Sequence, residues 1–239
     1  MARPSRKSEG RLEILEAAAR VIAKNGFHGM SMRELARQLG KTPAVFYNYY
    51  RSKEDLLLDL QVRAFEALVQ SARDAIARAG EPTEKLYAFI VQHLQYVGSH
   101  RAVMQVLVQE ANSLPAAQRK TVRAIKEEYY AVGRDVIRDV LWQSACVPGN
   151  REKRATLARA VDELELERQT YAVFGMLNWT YGWYRPKDHG APEELAHTLH
   201  RMLLCGLRPD CPLHVSKVDL RELDDRLRER KRIPLLRTV

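Results

Sequence analysis

The chain has 239 residues, of which 46% are hydrophobic and 29% charged, a composition that excludes a disordered chain. Its three cysteines are odd in number and widely spaced, so we expect reduced thiols and neither a disulfide framework nor a zinc site. No stretch approaches the roughly 20 apolar residues of a membrane-spanning helix, and no apolar segment of a secretory signal is evident. We therefore predict a soluble cytoplasmic protein without metal or cofactor that does not act at a membrane.

The positive charge is concentrated at one end of the sequence. The formal net charge is +9, and residues 1–53 hold eleven Lys or Arg against four Glu, which leaves +7 in under a quarter of the chain. A local excess of positive charge favours binding to a polyanion, and nucleic acid is the commonest one. The N-terminal segment is therefore a candidate nucleic-acid-binding element.

Three short helices are predicted in this basic segment. Helical periodicity runs over 8–25 and stops at Asn25-Gly26, where glycine suits the left-handed position after a helix. Ser31, with Glu34 three residues later, forms a capping-box pattern that opens a second helix. Gly40 ends that helix. Thr42 is predicted to cap a third, with Pro43 at its first position.

The rest of the chain also has helical periodicity, with Gly and Pro mainly between the segments. Ser52 and Asp55 open a fourth helix that runs to about 79. Further helices are predicted over 83–98, 100–111, 115–144, 151–184 (as one helix or two) and 191–206. We predict an all-α fold with three domains. These are an N-terminal three-helix helix-turn-helix domain (1–53), a larger helical domain (54–206) and a C-terminal basic helical tail (207–239).

Two short helices joined by a glycine turn form the helix-turn-helix arrangement, in which the second helix enters the major groove of DNA. Small side chains at Thr42 and Ala44 would let that helix approach the bases. Hydroxyl groups and charge suggest phosphate contacts for Tyr47, Tyr49, Tyr50 and Lys53. We expect Leu39, Val45 and Phe46 to form the core of the module. The alternative is a plain three-helix bundle in which the aromatic residues only pack.

The run from Ser31 to Leu57, SMRELARQLGKTPAVFYNYYRSKEDLL, resembles the signature of the TetR/AcrR family of bacterial regulators, and the preceding segment from Ile14 to Phe27 fits it too. The resemblance covers about 50 residues. Lys41 stands where the family usually has an apolar residue, so the operator sequence cannot be taken from a relative. The DNA-binding positions that we expect are Ser31, Arg33, Lys41, Thr42, Pro43, Ala44, Tyr47, Tyr49 and Lys53.

The resemblance implies an effector-binding and dimerisation role for the residues from 54 onward. It implies a homodimer that binds a palindromic operator in double-stranded DNA, with two recognition helices about 34 Å apart. A small-molecule effector that prefers the non-binding spacing would release the DNA. We therefore expect a ligand-responsive transcriptional repressor.

A second informative stretch runs from Phe174 to Pro186. Bulky residues cover most of it, which predicts a helix buried on two sides, as in a four-helix bundle between subunits. The stretch NWTYGWYRP also resembles TetR-family regulators of fatty-acid, aromatic-acid and steroid catabolism, which implies an acyl-CoA effector, with the basic residues facing its phosphates. The alternative is that the aromatic residues form only core or interface. The candidate ligand-binding residues are Phe174, Asn178, Trp179, Trp183, Arg185 and Lys187.

Other classes of function have weaker support. The sequence contains no nucleophile elbow, P-loop, zinc-protease or dinucleotide motif, so we predict that the protein is not an enzyme. One rival is an all-helical acyl-binding enzyme or carrier with a structural N-terminal bundle. Another is a protein that binds DNA without sequence preference. His197 and His200, three residues apart, could share a metal, but we expect a surface pair.

Overall fold

A computed structural model describes residues 6–145 and 163–207, and every regular element within these ranges is helical, which confirms the all-α prediction. The predicted tail and part of the helix predicted over 151–184 lie outside the described residues. Among the described helices, none has the length and apolar character that crossing a membrane requires. The helices are α1 (Arg6–Gly29), α2 (Met32–Gln38), α3 (Pro43–Tyr47), α4 (Lys53–Ile76), α5 (Pro82–Ser99), α6 (Arg101–Gln109), α7 (Ala116–Ala145), α8 (Glu163–Trp183), α9 (Pro186–His189) and α10 (Pro192–Leu207).

The described residues fall into two compact units. The first takes in 6–68 and 99–127, and the second 69–98, 128–145 and 163–207. The helix-turn-helix segment therefore shares its unit with α6 and the first part of α7. The domain boundaries drawn from the sequence stay a prediction.

The core of the first unit forms where α6 packs along α1. Leu15, Ala18, Ala19 and Ile22 of α1 are almost fully buried and follow the i, i+3, i+4, i+7 spacing of an amphipathic helix. The matching face of α6 buries Val103 and Leu107. Burying one such side chain contributes about 1.5–3 kcal/mol, so this apolar contact fixes α1 against α6.

Helix α1 is broken near its end by Gly26, whose φ of 72° lies in the left-handed region. In an unbroken helix the carbonyl of Ala23 would accept the N–H of Phe27. Here Gln105 Nε2 donates to the Ala23 carbonyl at 2.7 Å, and the Phe27 N–H donates to Glu110 Oε1 at 3.0 Å. Two side chains thus replace one lost backbone bond, and we call this place the α1 break. The predicted stop at Asn25-Gly26 corresponds to it, although one more turn follows.

The core of the second unit contains three aromatic rings from different helices. Phe89 of α5, Tyr129 of α7 and Phe174 of α8 have ring centroids 5.6–5.8 Å apart. Two of these rings lie over Gly133, where an added Cβ would be 2.7 Å from the Phe174 ring and 3.0 Å from the Phe89 ring. We call these three residues the aromatic triad. Such close approach is possible only because position 133 has no side chain.

Candidate nucleic-acid interface and effector region

The second helix of the module begins as its sequence predicts. Ser31 has extended backbone angles, and its Oγ accepts the N–H of Glu34 at 3.1 Å. The Glu34 carboxylate does not complete a capping box, because it accepts Arg37 Nε at 3.0 Å and Arg37 Nη2 at 2.8 Å. These charged hydrogen bonds from Arg37 hold the pKa of Glu34 below its usual value. The helix start is therefore fixed by serine alone, and Glu34 instead orients Arg37.

The turn between the short helices depends on Gly40. Its φ of 62° is left-handed, and nothing lies within 4 Å of where a Cβ would stand, so backbone conformation and not space requires glycine. Pro43 occupies the first turn of α3, as predicted. Thr42 occupies the N-cap position of α3 with extended backbone angles, as predicted, but its hydroxyl makes no capping bond. Thr42 is exposed instead.

Helix α3 is held in place by one anchor. Phe46 is fully buried, whereas Leu39 and Val45, which were predicted to share the core, are half-buried. Tyr47 is 56% exposed, although large aromatic side chains usually find cover. Six of the predicted DNA-binding residues are exposed, and we call them the recognition surface: Ser31, Arg33, Thr42, Pro43, Ala44 and Tyr47.

The other three predicted DNA-binding residues are half-buried and have partners within the chain. Lys41 forms an ion pair with Glu13 of α1. The Tyr49 hydroxyl lies against Gly10, 2.7 Å from where a Cβ would be. Lys53 Nζ donates to the carbonyls of Phe27, His28 and Met30 at 3.3–3.4 Å, and it lies 4.7 Å from the centroid of the Phe27 ring. Lys53 therefore caps the chain just beyond the α1 break.

Tyr50 does not reach a phosphate, contrary to prediction. It is 3% exposed, and its hydroxyl donates to Asp59 of α4 at 2.7 Å. Burial and the neighbouring Asp59 carboxylate raise the pKa of Tyr50. Asp59 also receives Arg11 at 3.3 Å and Arg63 at 2.8 Å. Asp59 thus ties α1 and the residues after α3 to α4, a role that no local motif indicates.

In the second unit, four buried polar side chains form a continuous chain of hydrogen bonds. Ser71 Oγ donates to Gln92 Oε1 at 2.5 Å, and Gln92 Nε2 donates to the Tyr129 hydroxyl at 3.0 Å. The same hydroxyl lies 2.9 Å from His93 Nδ1. Burial lowers the pKa of His93 to about 4 from its ordinary 6.5, so this imidazole is neutral near pH 7. We call these four residues the polar chain.

The six predicted ligand-binding residues do not share one surface. Phe174 is 7% exposed and belongs to the aromatic triad, whereas Trp179 and Trp183 are 65% and 40% exposed. The helical period explains why these residues face different sides. Trp183 follows Phe174 by nine positions, and at about 100° per position the two side chains point in opposite directions from the helix axis. Asn178 is half-buried. Arg185, at the start of α9, donates to the carbonyl of the preceding Tyr184, and Lys187 is exposed.

In the described part of the chain helix α8 is buried on one side, and the predicted burial of its other side between subunits stays a prediction. Tyr171, Gly175, Trp179 and Trp183 follow one another at four-residue intervals along its exposed side. Tyr171 is 61% exposed, and nothing lies within 4 Å of a Cβ added at Gly175. We call these four residues the aromatic stripe.

His197 and His200 do not form a metal site with other ligands in the described part of the chain. His200 is 5% exposed, and its Nε2 lies 2.9 Å from the carbonyl of Thr83, to which it donates. His197 packs against the ring of Tyr87, with centroids 4.7 Å apart. Within the described ranges no three His, Cys, Asp or Glu side chains come together as metal ligands. The expected surface pair is therefore partly wrong, because His200 is a core residue.

Two family models match this architecture. The model described as bacterial regulatory proteins, tetR family, matches residues 14–60. The model described as tetracyclin repressor-like, C-terminal domain, matches residues 79–207, more than half of the chain. The chain belongs to the TetR family. The first match contains the recognition surface, and the second contains the aromatic triad and the aromatic stripe.

Individual proteins that resemble this chain agree with this assignment. A fatty acid metabolism regulator protein of Bacillus subtilis (strain 168) is 29% identical over 104 residues, which are 42% of this chain and about half (54%) of that protein. A TetR-family transcriptional regulator from Bordetella parapertussis 12822 is 25% identical, with a TM-score of 0.71 over 87% of this chain and 98% of that one. The structure of AibR in complex with isovaleryl coenzyme A and operator DNA shares the fold at 22% identity, with a TM-score of 0.66 over 80% and 96%.

Proposed function

We propose that this protein is a cytoplasmic, non-enzymatic transcriptional repressor that binds a palindromic operator through its recognition surface and leaves it when an effector binds. The observation that carries the proposal is the exposure of α3. Phe46 alone is buried in this helix, and the small residues Thr42 and Ala44 face outward. Because only Phe46 packs fully into the core, the remaining side chains of this helix are available to contact base edges. The +7 charge of residues 1–53 adds attraction to phosphate.

Operator binding by charge-matched variants tests this proposal. The DNA is a labelled duplex from upstream of the protein's own gene, and fluorescence anisotropy is followed across salt concentrations. Arg33→Gln should weaken binding and lower the salt slope by about one unit, since one phosphate contact is lost. Arg20→Gln removes the same charge from an exposed site on α1 and should leave the slope unchanged. Equal effects of the two changes would contradict the assignment of the recognition surface.

Base recognition and phosphate contact are separable on the same helix. Thr42→Val keeps the side-chain shape and removes an exposed hydroxyl, so it should change the preferred operator sequence. Tyr47→Phe should instead lower affinity by a similar factor for every sequence. Binding that shows a steep salt dependence and no sequence preference would favour the nonspecific DNA-binding alternative.

We retain Lys41, Tyr49 and Lys53 as DNA contacts that must exchange internal partners for phosphate. The three carbonyl bonds of Lys53 are long for N–H···O bonds, so a phosphate oxygen can compete for the ammonium group. Lys53→Met should then lower both the salt slope and the free energy of unfolding. A loss of stability with an unchanged slope would restrict Lys53 to capping α1.

The aromatic stripe supports a homodimer. A contiguous exposed apolar patch marks an interface, and Gly175 adds no side chain that would keep a partner helix away. Trp179→Glu should therefore convert dimers to monomers in sedimentation velocity. The matched control is Val108→Glu, which places the same charge at a 39% exposed apolar position on α6 and should leave the dimer intact. An intact Trp179→Glu dimer would exclude the stripe as the interface.

For the effector we propose an acyl-CoA thioester. Support comes from the fatty acid metabolism regulator of B. subtilis and from AibR, which was solved with isovaleryl coenzyme A. We assign Phe174 and Asn178 to the acyl group and Arg185 and Lys187 to the phosphates, and we assign the two exposed tryptophans to the dimer. We expect one or more members of a panel of acyl-CoAs to release the protein from operator DNA, and we expect free coenzyme A not to release it. Release by none of them would refute the effector class.

A further inference from the structure

The polar chain in the second unit has a defined direction. Ser71 donates to the oxygen of the Gln92 amide, so the amide nitrogen of Gln92 donates onward to the Tyr129 hydroxyl. Having accepted that bond, the hydroxyl has its own proton to give, and His93 Nδ1 lies 2.9 Å away. A neutral imidazole that accepts at Nδ1 carries its proton on Nε2. The four side chains therefore present one N–H donor at their end.

Among the described residues, no acceptor is bonded to that terminal donor. His93 is completely buried, and its Nε2 makes no hydrogen bond with any of them. The backbone carbonyl of Leu177 lies near enough to the ring to favour its protonated form, but it does not meet the geometry of a hydrogen bond with it. The Leu177 carbonyl already accepts the Thr180 hydroxyl at 2.6 Å. An unsatisfied buried N–H costs about 1–3 kcal/mol, so its presence at a buried position requires an explanation.

The surroundings of His93 suit an acyl group. His93 stacks on Tyr129, whose ring also packs against Phe89 and Phe174. These apolar rings come from α5, α7 and α8, and the His93 ring, which carries the unsatisfied N–H, lies against one of them. Apolar walls with few and well-placed polar groups are the usual composition of a small-molecule site.

We propose that His93 Nε2 donates a hydrogen bond to a carbonyl oxygen of the bound acyl group. This bond would make the regulator selective for effectors that carry a carbonyl oxygen at the position along the acyl chain that reaches His93. The inference rests on the proposed acyl-CoA effector. Two carbonyls could supply the oxygen, namely the thioester carbonyl and a keto group farther along the chain. His93 is then a specificity-determining residue, and Tyr129 positions it by fixing which nitrogen carries the proton.

Three ligands of equal length separate the sources of the oxygen. They are hexanoyl-CoA, S-hexyl-CoA, which lacks the thioester carbonyl, and 3-oxohexanoyl-CoA, which has a second carbonyl. Each is titrated calorimetrically into the full-length wild type and into His93→Phe. The wild type should bind the preferred carbonyl ligand about 10- to 100-fold more tightly than the ligand without that oxygen. His93→Phe should bind both within about threefold.

A matched histidine controls for general damage to the core. His200 is also buried, but its Nε2 is satisfied by the Thr83 carbonyl. His200→Gln should keep the wild-type ratio of affinities. Should His93→Phe fail to fold, Tyr129→Phe is the second variant. It removes the proton that fixes the tautomer of His93 and should reduce the ratio in the same way.

The outcomes separate this inference from the proposed function. Binding of all three ligands to the wild type with equal affinity overturns the role of His93 and leaves the acyl-CoA effector in place. An affinity ratio that persists in His93→Phe does the same. No binding of any of the three ligands to the wild type overturns both proposals.

Discussion

Replacing Glu110 by alanine tests how the α1 break is held together. Phe27 is 1% exposed, and its N–H donates to the Glu110 carboxylate at 3.0 Å. The other oxygen of that carboxylate accepts the Ser113 hydroxyl. Without the carboxylate, the buried N–H loses the acceptor that replaces the helical one at the α1 break, where Gly26 interrupts the helical backbone. A lost hydrogen bond to a charged group costs about 1.5–3 kcal/mol.

We expect Glu110→Ala to lower the free energy of unfolding by about 2–3 kcal/mol in urea titrations followed by circular dichroism. Glu110→Gln keeps an acceptor oxygen and should lose less than about 1 kcal/mol. Glu127→Ala, the same side-chain loss at an exposed position of α7, should stay within about 0.5 kcal/mol of the wild type. A Glu110→Ala protein as stable as the Glu127→Ala protein, or no difference between the alanine and glutamine variants, would refute this account of the α1 break.

Two further predictions concern the second unit. His93 and His200 both have a pKa of about 4 in the folded protein against an ordinary 6.5, so between these values the unfolded chain binds more protons. The free energy of unfolding should therefore be constant above about pH 7 and fall at lower pH, with about 2 kcal/mol lost per histidine at pH 5. In denaturant titrations, the free energy of unfolding of His200→Gln should depend less steeply on pH. A pH dependence equal to that of the wild type would contradict the assignment. Gly133→Ala should destabilise by about 1–3 kcal/mol because its Cβ would meet Phe174 at 2.7 Å, whereas Gly98→Ala, whose nearest contact is 3.5 Å, should be nearly neutral. Thermal denaturation of the two alanine variants tests this prediction. Equal midpoints would mean that the aromatic triad can shift to accommodate a methyl group without cost.

The sequence predicted the helices well because their signals are local. Ser31, Gly40 and Pro43 act through their own backbone and neighbours, and each fixes a helix end as expected. Thr42 takes the predicted N-cap position, but its hydroxyl makes no capping hydrogen bond. Local patterns thus determine where helices begin and end, but not which hydrogen bonds are made there.

The residues that the sequence could not predict act over long separations. Glu110 and Gln105 bind backbone groups of α1 that are 83 and 82 positions away. Asp59 and Tyr129 likewise depend on which helices become neighbours. That α8 has a buried and an exposed side could be predicted in part from the sequence, because the helical period alone puts Phe174 and Trp183 on opposite sides. Which side would be covered within one chain required the tertiary packing.

The α1 break has a consequence for how this protein is made. Every predicted DNA contact has been synthesised once residue 53 is reached, yet the backbone of α1 is not satisfied until Gln105 and Glu110 follow. At about 5–20 residues per second, the ribosome needs roughly 3–11 s to add the 57 residues from 54 to 110. During that time the DNA-binding segment is a nascent chain that lacks its partners. The segment that carries the family signature is therefore not a transplantable module, and a chimaera that borrows it must also borrow α6 and the turn that follows.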